Sequence, residues 1–194
     1  MYKHYHKRHG VLAPDGEMWQ ALQEGRGLRK ILETFYSRVY EDERLAHFFE
    51  GVTKQRAIEK QFSFLKSIFT GEKCYFGEHP KAAHHWMVIS NELFDYREAL
   101  MEHCLREHGL PEHFIQRWRA VEETFRKVIV KSEPFELKFG GVVRPVEGYS
   151  METLEVATLC DQCSGEITAG ATVTYHVRTG KVYCPGCSEN LQSA

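Results

Sequence analysis

Three side chains in this 194-residue sequence can do more than fill a core: Tyr36, Gln61 and His84. A phenol and a carboxamide donate hydrogen bonds, and an imidazole can ligate a metal. They recur within a set of spacings: Phe35-Tyr36, then Phe48-Phe49, then Gln61, then Tyr75 and Gly77 ahead of Ala82-Ala83-His84. A helix turns about 100° per residue, which sets Gln61 inside the arc of Ala57, Phe64, Leu65 and Ile68 and aims it inward. A buried amide without a partner costs about 1–3 kcal/mol, so a side chain, a water or a ligand must face it. Tyr36 lies at the edge of its own apolar stripe, where its phenol can enter the same cavity. A polar ligand or a metal centre among these residues is one reading, and a ligand-free Gln–Tyr hydrogen bond is the other. Arg97 poses the question again, because it sits among Leu93, Phe94, Leu100, Met101 and Cys104. Its guanidinium must meet a glutamate, snorkel to water or face an anionic ligand.

A second chemistry is written in Cys160-x-x-Cys163 and Cys184-x-x-Cys187. Each CxxC turn presents two thiolates to one ion, and the insert between the pairs, folded as a hairpin, brings them together. Four thiolates suit a tetrahedral, closed Zn²⁺ site, with an iron–sulfur cluster as the alternative. A module this small needs its metal to fold. Gly165 and Gly186 are the residues that permit the tight turns. Cys74 and Cys104 fall outside both pairs and read as small buried hydrophobes.

The elements that must position these groups are mostly helical from about Trp19 to Lys131. Apolar residues recur at helical spacing in Leu28, Ile31, Leu32, Phe35 and Val39, again in Ile58, Phe62, Leu65, Ile68 and Phe69, and again from Leu93 to Leu105. Gly109-Leu110-Pro111 ends that helix and starts a fourth, which carries Phe114, Trp118, Val121, Phe125 and Val128. Thr70 to Pro80 reads as loop before a short helix at about Lys81 to Met87. After Pro134 the period becomes two, with Phe135, Leu137 and Phe139 leading to a Gly140-Gly141 turn and a hairpin. Pro145 and Gly148 mark the passage to the cysteine module, where Val173, Tyr175 and Val177 alternate with polar residues and Ser188 to Leu191 begin a terminal helix. The division expected is an extension at 1–18, a helical domain at 19–131, a linker at 132–150 and a four-cysteine zinc-binding module at 151–194.

Composition bounds the partners. A formal charge of −2 gives no broad basic field, which disfavours nucleic acid and anionic membranes. No apolar run approaches the roughly 20 residues that span a bilayer, and Met1 to His9 has a basic start without the apolar segment of a secretory signal. A cytoplasmic home follows, and it favours metal ligation over disulfides for the cysteines.

Residues 19–131 resemble the truncated haemoglobins, short globins with a two-over-two helical sandwich. The resemblance is carried by Phe35-Tyr36-Ser37-Arg38-Val39-Tyr40 with Asp42 and Leu45, by Phe48-Phe49-x-Gly51-Val52, by Lys60-Gln61, and by Tyr75-x-Gly77 through Ala83-His84 to Ile89 and Phe94. It implies a haem b cofactor with His84 as proximal ligand to iron, Phe49 packed on the porphyrin, and Tyr36 and Gln61 as distal donors to a bound diatomic ligand. Phe94 falls within the same pocket pattern. Ala57 matches a distal position that carries histidine in many globins, so a bis-histidine haem from that site is ruled out, and Lys81 is a candidate partner for a propionate. Two departures stand out. Arg97 matches a distal-side position that is apolar or tryptophan in many relatives, where a cation would favour anionic ligands or a polarised peroxide. The expected glycine pair is Gly25-Arg26-Gly27, slipped by one residue, so the first helix is expected to lie differently. The segment after Pro134 resembles zinc-ribbon or treble-clef modules over about its last 35 residues.

The fold expected is therefore mainly α, a truncated globin followed by a small β-rich zinc module. Its expected function is binding O2, NO or CO, with O2, NO or peroxide chemistry drawing electrons from an external reductase. The alternative is a haem-based sensor or adaptor whose zinc module docks a protein or nucleic-acid partner.

Overall fold

The computed structural model describes residues 12–75, 77, 79–139, 142–154, 157–189 and 191. The basic start, the Gly140-Gly141 turn and Asn190 lie outside them. In chain order the helices are α1 (Gly16–Ala21), α2 (Arg26–Val39), α3 (Lys54–Thr70), α4 (Pro80–Ala83), α5 (Asn91–Glu107), α6 (Glu112–Glu123), α7 (Arg126–Ile129) and α8 (Pro185–Ser188). Short 3₁₀ turns at Gln23–Gly25 and Ala46–Phe49 precede α2 and α3. The strands are β1 (Leu137–Phe139), β2 (Val142–Arg144), β3 (Tyr149–Thr153), β4 (Thr158–Leu159), β5 (Glu166–Ile167), β6 (Thr172–His176) and β7 (Val182–Tyr183). Two compact units result: the described residues of Met1–Glu78 with Ile89–Val130, and those of His79–Val88 with Lys131–Ala194.

The first unit is all helix. The stripe on α2 is buried along its length at Leu28, Ile31, Leu32, Phe35, Tyr36 and Val39. It meets Ile58, Leu65 and Phe69 of α3, Met101, Cys104 and Leu105 of α5, and Ile115 and Trp118 of α6 in one core. The expectation that Cys104 is a small core residue holds, for it is fully buried. Side-chain oxygens cap three of these helices: Asp15 accepts from Met18 N, Thr53 from Arg56 N and Ser90 from Leu93 N. Asp15 also accepts from Arg117, which fastens the start of α1 to α6. The fourth helix is not the single element expected through Val128. It ends at Glu123, where the Thr124 hydroxyl donates to the Val121 carbonyl, and one turn resumes as α7.

The second unit builds the cysteine module around a three-stranded antiparallel sheet ordered β3-β6-β7. Val173 and Tyr175 face inward from β6, as the alternation predicts. A β4–β5 hairpin carries the first cysteine pair at its tip, with Thr158 opposite Ile167 and Leu159 opposite Glu166. The terminal helix begins earlier than expected, at Pro185, because a proline at the first helical position needs no N–H partner. Cys187 therefore sits inside α8 rather than before it. β1 and β2 pair as the anticipated hairpin.

The slipped glycine pair has a packing cause. Gly25 adopts φ +95°, and a Cβ there would come within 2.8 Å of the Trp19 ring and 3.0 Å of Phe62. Gly25→Ala is expected to lower the free energy of unfolding by about 1–3 kcal/mol, read by urea denaturation.

Candidate functional site

Within the helical unit, Tyr36 is 6% exposed and packs edge-on against Phe35 and Phe49, at ring separations of 5.2 and 5.6 Å. Phe49 also stacks near Tyr40, whose hydroxyl donates to the Val52 carbonyl. Burial pushes the Tyr36 phenol up to about 12, so it stays a donor throughout the neutral range. Ala57 is buried one turn before half-buried Gln61 on α3. Neither the Tyr36 hydroxyl nor the Gln61 amide is hydrogen-bonded to another described residue, so the ligand-free Gln–Tyr bond is not formed. Two donors in apolar surroundings are thereby available to a ligand. Phe94 is buried as well, with the Arg126 guanidinium 4.3 Å from its ring centre.

Arg97 takes the salt-bridge alternative. Its Nη1 donates to Glu98 Oε1 at 2.7 Å and to Glu122, and its guanidinium lies 4.9 Å from the centre of the Phe35 ring. The arginine keeps 24% exposure while Glu98 is almost wholly enclosed, so the centre of the apolar arc belongs to Glu98. Period alone could have found it: Phe94, Glu98, Met101 and Leu105 lie on one 4-3-4 stripe. Burial, reinforced by the nearby charge of Glu122, pushes the Glu98 carboxyl up to about 8 against the opposing pull of Arg97. Folding thus takes up a proton between the ordinary glutamate value of 4.5 and about 8.

Within the second unit, His79 opens α4 by accepting from Lys81 N, and His84 follows its last turn. His84 Nδ1 lies 2.7 Å from the Pro80 carbonyl oxygen. A carbonyl only accepts, so a ring proton sits on Nδ1, as it does in histidines that ligate metal through Nε2. His85 turns the other way, as neighbouring helical positions must, and is 2% exposed with Nδ1 on the Ala82 carbonyl and Nε2 on the Pro145 carbonyl. Lys131 donates from Nζ to the His84 carbonyl at 2.6 Å, and burial holds its ammonium down at about 8. α4 stops after one turn instead of running to Met87, and the chain continues in tight turns in which His85 N bonds to the Ala82 carbonyl and Met87 N to the His84 carbonyl. Lys81 is exposed, its Nζ 5.0 Å from the Phe135 ring centre. Glu98, Glu122, Lys131 and His85 are the participants that the sequence reading did not single out.

The four module thiols converge, with all sulfur atoms within 4.8 Å of one another and Cys163 Sγ 3.9 Å from Cys184 Sγ. A tetrahedral ion with bonds of about 2.3 Å would set neighbouring sulfurs about 3.8 Å apart. Burial alone would raise the Cys160 thiol, but backbone N–H groups of Cys163, Cys184 and Gln162 outweigh it and hold the group at about 6. The turn is made by Ser164, at φ +58°, and not by the flanking glycine. Gly165 is instead required for room, since a Cβ there would lie 3.3 Å from Cys163 Sγ, while one on Gly186 would meet nothing.

Comparison with known proteins adds an independent line. The bacterial-like globin family model matches residues 18–130. The group 1 truncated hemoglobin GlbN of Synechocystis sp. is 36% identical over 96 residues, 46% of this chain and 76% of that protein. The group 1 truncated hemoglobin of Tetrahymena pyriformis is 27% identical over 110 residues, 57% of this chain and 91% of that protein. The crystal structure of truncated hemoglobin from Tetrahymena pyriformis in its Fe(III) form superposes with a TM-score of 0.54 at 26% identity, covering 58% of this chain and 97% of that one.

For the Glu98 carboxyl, stability is full below pH 4.5 and declines as pH rises toward about 8. Glu98→Gln mimics the protonated acid, so urea denaturation across pH 5 to 8.5 is expected to give a flatter profile than the parent.

Proposed function

The chain belongs to the bacterial-like globin family, and from that premise we propose that it is a haem protein that binds a small diatomic ligand, with a structural zinc centre in its C-terminal module. The observation that supports this reading is the bond of His84 Nδ1 to the Pro80 carbonyl, the kind of hydrogen bond that orients histidines that ligate metal through Nε2. Haem, when bound, supplies the iron at which a diatomic ligand such as O2, NO or CO is held. His84 is the proximal ligand. Tyr36 and Gln61 donate to the bound ligand, and burial keeps the phenol protonated for that task at neutral pH. Phe49 and Phe94 supply apolar packing for the porphyrin, and Ala57 leaves no imidazole to compete for the distal side. Lys81, which is exposed, is the candidate partner for a propionate.

Arg97 has a different part. Its charge is met by Glu122 and its Nη1 also donates to Glu98, so it stabilises the helical unit near Tyr36 rather than selecting anionic ligands. Removing one partner of such a buried pair costs about 3–5 kcal/mol. The convergence of the four thiols supports Zn²⁺ held by Cys160, Cys163, Cys184 and Cys187. Among the described residues no helix is long and apolar enough to cross a membrane.

Purified protein is expected to show a Soret band that His84→Ala abolishes; a spectrum without the band, or one indifferent to the substitution, would remove the haem reading. Tyr36→Phe and Gln61→Leu are each expected to speed O2 dissociation by roughly tenfold, the scale of one hydrogen bond to a partly charged acceptor. Stopped-flow measurement of the off-rate decides this. Elemental analysis is expected to give one zinc per chain, released by a mercurial titrating the four thiols, and iron in excess of the haem with acid-labile sulfide and no zinc would point to the cluster instead.

A further inference from the structure

The segment that bears His84 is surrounded by residues from far along the chain. Lys131 Nζ donates to the His84 carbonyl at 2.6 Å. Phe135 N donates to the His85 carbonyl at 3.1 Å, and the Phe135 ring packs across the His85 ring at 6.4 Å. His85 Nε2 reaches the Pro145 carbonyl at 3.0 Å. The Arg178 guanidinium lies over the Trp86 ring, 4.6 Å from its centre. His84 and the two residues after it are thus gripped by the C-terminal region, and all of these contacts lie within one compact unit.

The grip is continuous with the thiolate centre. Arg178 follows β6, whose Val173 packs against Cys160 and, with Leu154, Val182, Cys184 and Cys187, fills the module's small core. Asp161, inside the first cysteine pair, is bonded in both directions to Val182 of β7, by its N–H to the carbonyl at 2.8 Å and by its Oδ2 from the N–H at 2.7 Å. Pro145 lies just before β3, which pairs along its length with β6. A core this slight holds its shape only while the metal holds the thiolates together.

We propose that the C-terminal module is the mounting of the proximal segment, with Lys131, Phe135 and Arg178 as positioning residues for His84, so that metal at the four thiolates sets how firmly the histidine holds haem iron. This rests on His84 being the iron ligand. A side chain that orients a metal ligand through its backbone acts on affinity much as an outer-shell hydrogen bond does, and losing one costs about 10–100-fold. Loss of zinc or oxidation of the thiols would then be felt at the haem without any contact between the two metals.

The test uses full-length holoprotein. Haem transfer to excess apomyoglobin gives the release rate, and resonance Raman of the ferrous form gives the iron–histidine stretching band. Both are measured on the parent, on Lys131→Met, Lys131→Arg and Arg178→Gln, and on parent protein stripped of zinc by a mercurial and chelator, with far-UV circular dichroism on each. Lys131→Met and zinc-stripped protein are expected to release haem roughly tenfold faster and to shift the band, with Lys131→Arg close to the parent. Release rates and bands that match the parent in Lys131→Met, in Arg178→Gln and after zinc removal overturn the proposal. His84→Gly separates the two ideas. If added imidazole restores its spectrum, the ligand assignment stands whatever the other variants do, and if its ferrous spectrum equals the parent's, assignment and mounting fall together.

Discussion

The Pro80 carbonyl accepts the Nδ1 proton of His84, and that bond fixes the orientation of the ring. Much of the surrounding structure serves to keep that carbonyl and that ring in place. Proline at the first position of α4 removes an N–H that would have no helical partner, and His79 caps the turn. The Ala82 and His84 carbonyls accept from the His85 ring and from Lys131 in addition to the backbone N–H groups of His85 and Met87. These side-chain bonds, added to those of the backbone, hold the segment's shape from outside.

The helical unit solves a different problem, which is how to keep polar groups inside an apolar sandwich. Tyr36 is tolerated because a neutral phenol costs little to bury beside Phe35 and Phe49, and burial itself keeps it neutral. The Arg97 cluster is tolerated because its charges cancel. One cation faces two carboxyls, of which Glu98 is pushed toward its protonated form. The core thus carries two polar devices of opposite kind, one whose donor is not hydrogen-bonded to another described residue and one whose cation and carboxyls bond to one another.

The helices were legible in the sequence because each buries one continuous stripe, and the four cysteines because two close pairs on a returning chain leave one sensible arrangement. Where the reading fell short, competing local interactions decided the outcome. The Thr124 hydroxyl turns back on the last helix, α4 gives way to tight turns after His84, and Ser164 takes the left-handed turn beside Gly165. Arg97 drew attention as a charge on an apolar arc, while its neighbour Glu98 sat deeper on the same helix face. Contacts such as Lys131 with His84 span 47 residues, and no periodicity encodes them.

The two compact units are interleaved along the chain, with passages at 78–79, 88–89 and 130–131. No single scission can therefore separate them: a cut near 131, where the globin-like stretch ends, leaves the histidine-bearing ten residues with the wrong fragment. An appended module joined by one linker can be shed or swapped during evolution with little disturbance to its host. One that has taken custody of an internal stretch of its host cannot, and its inheritance is bound to that of the globin.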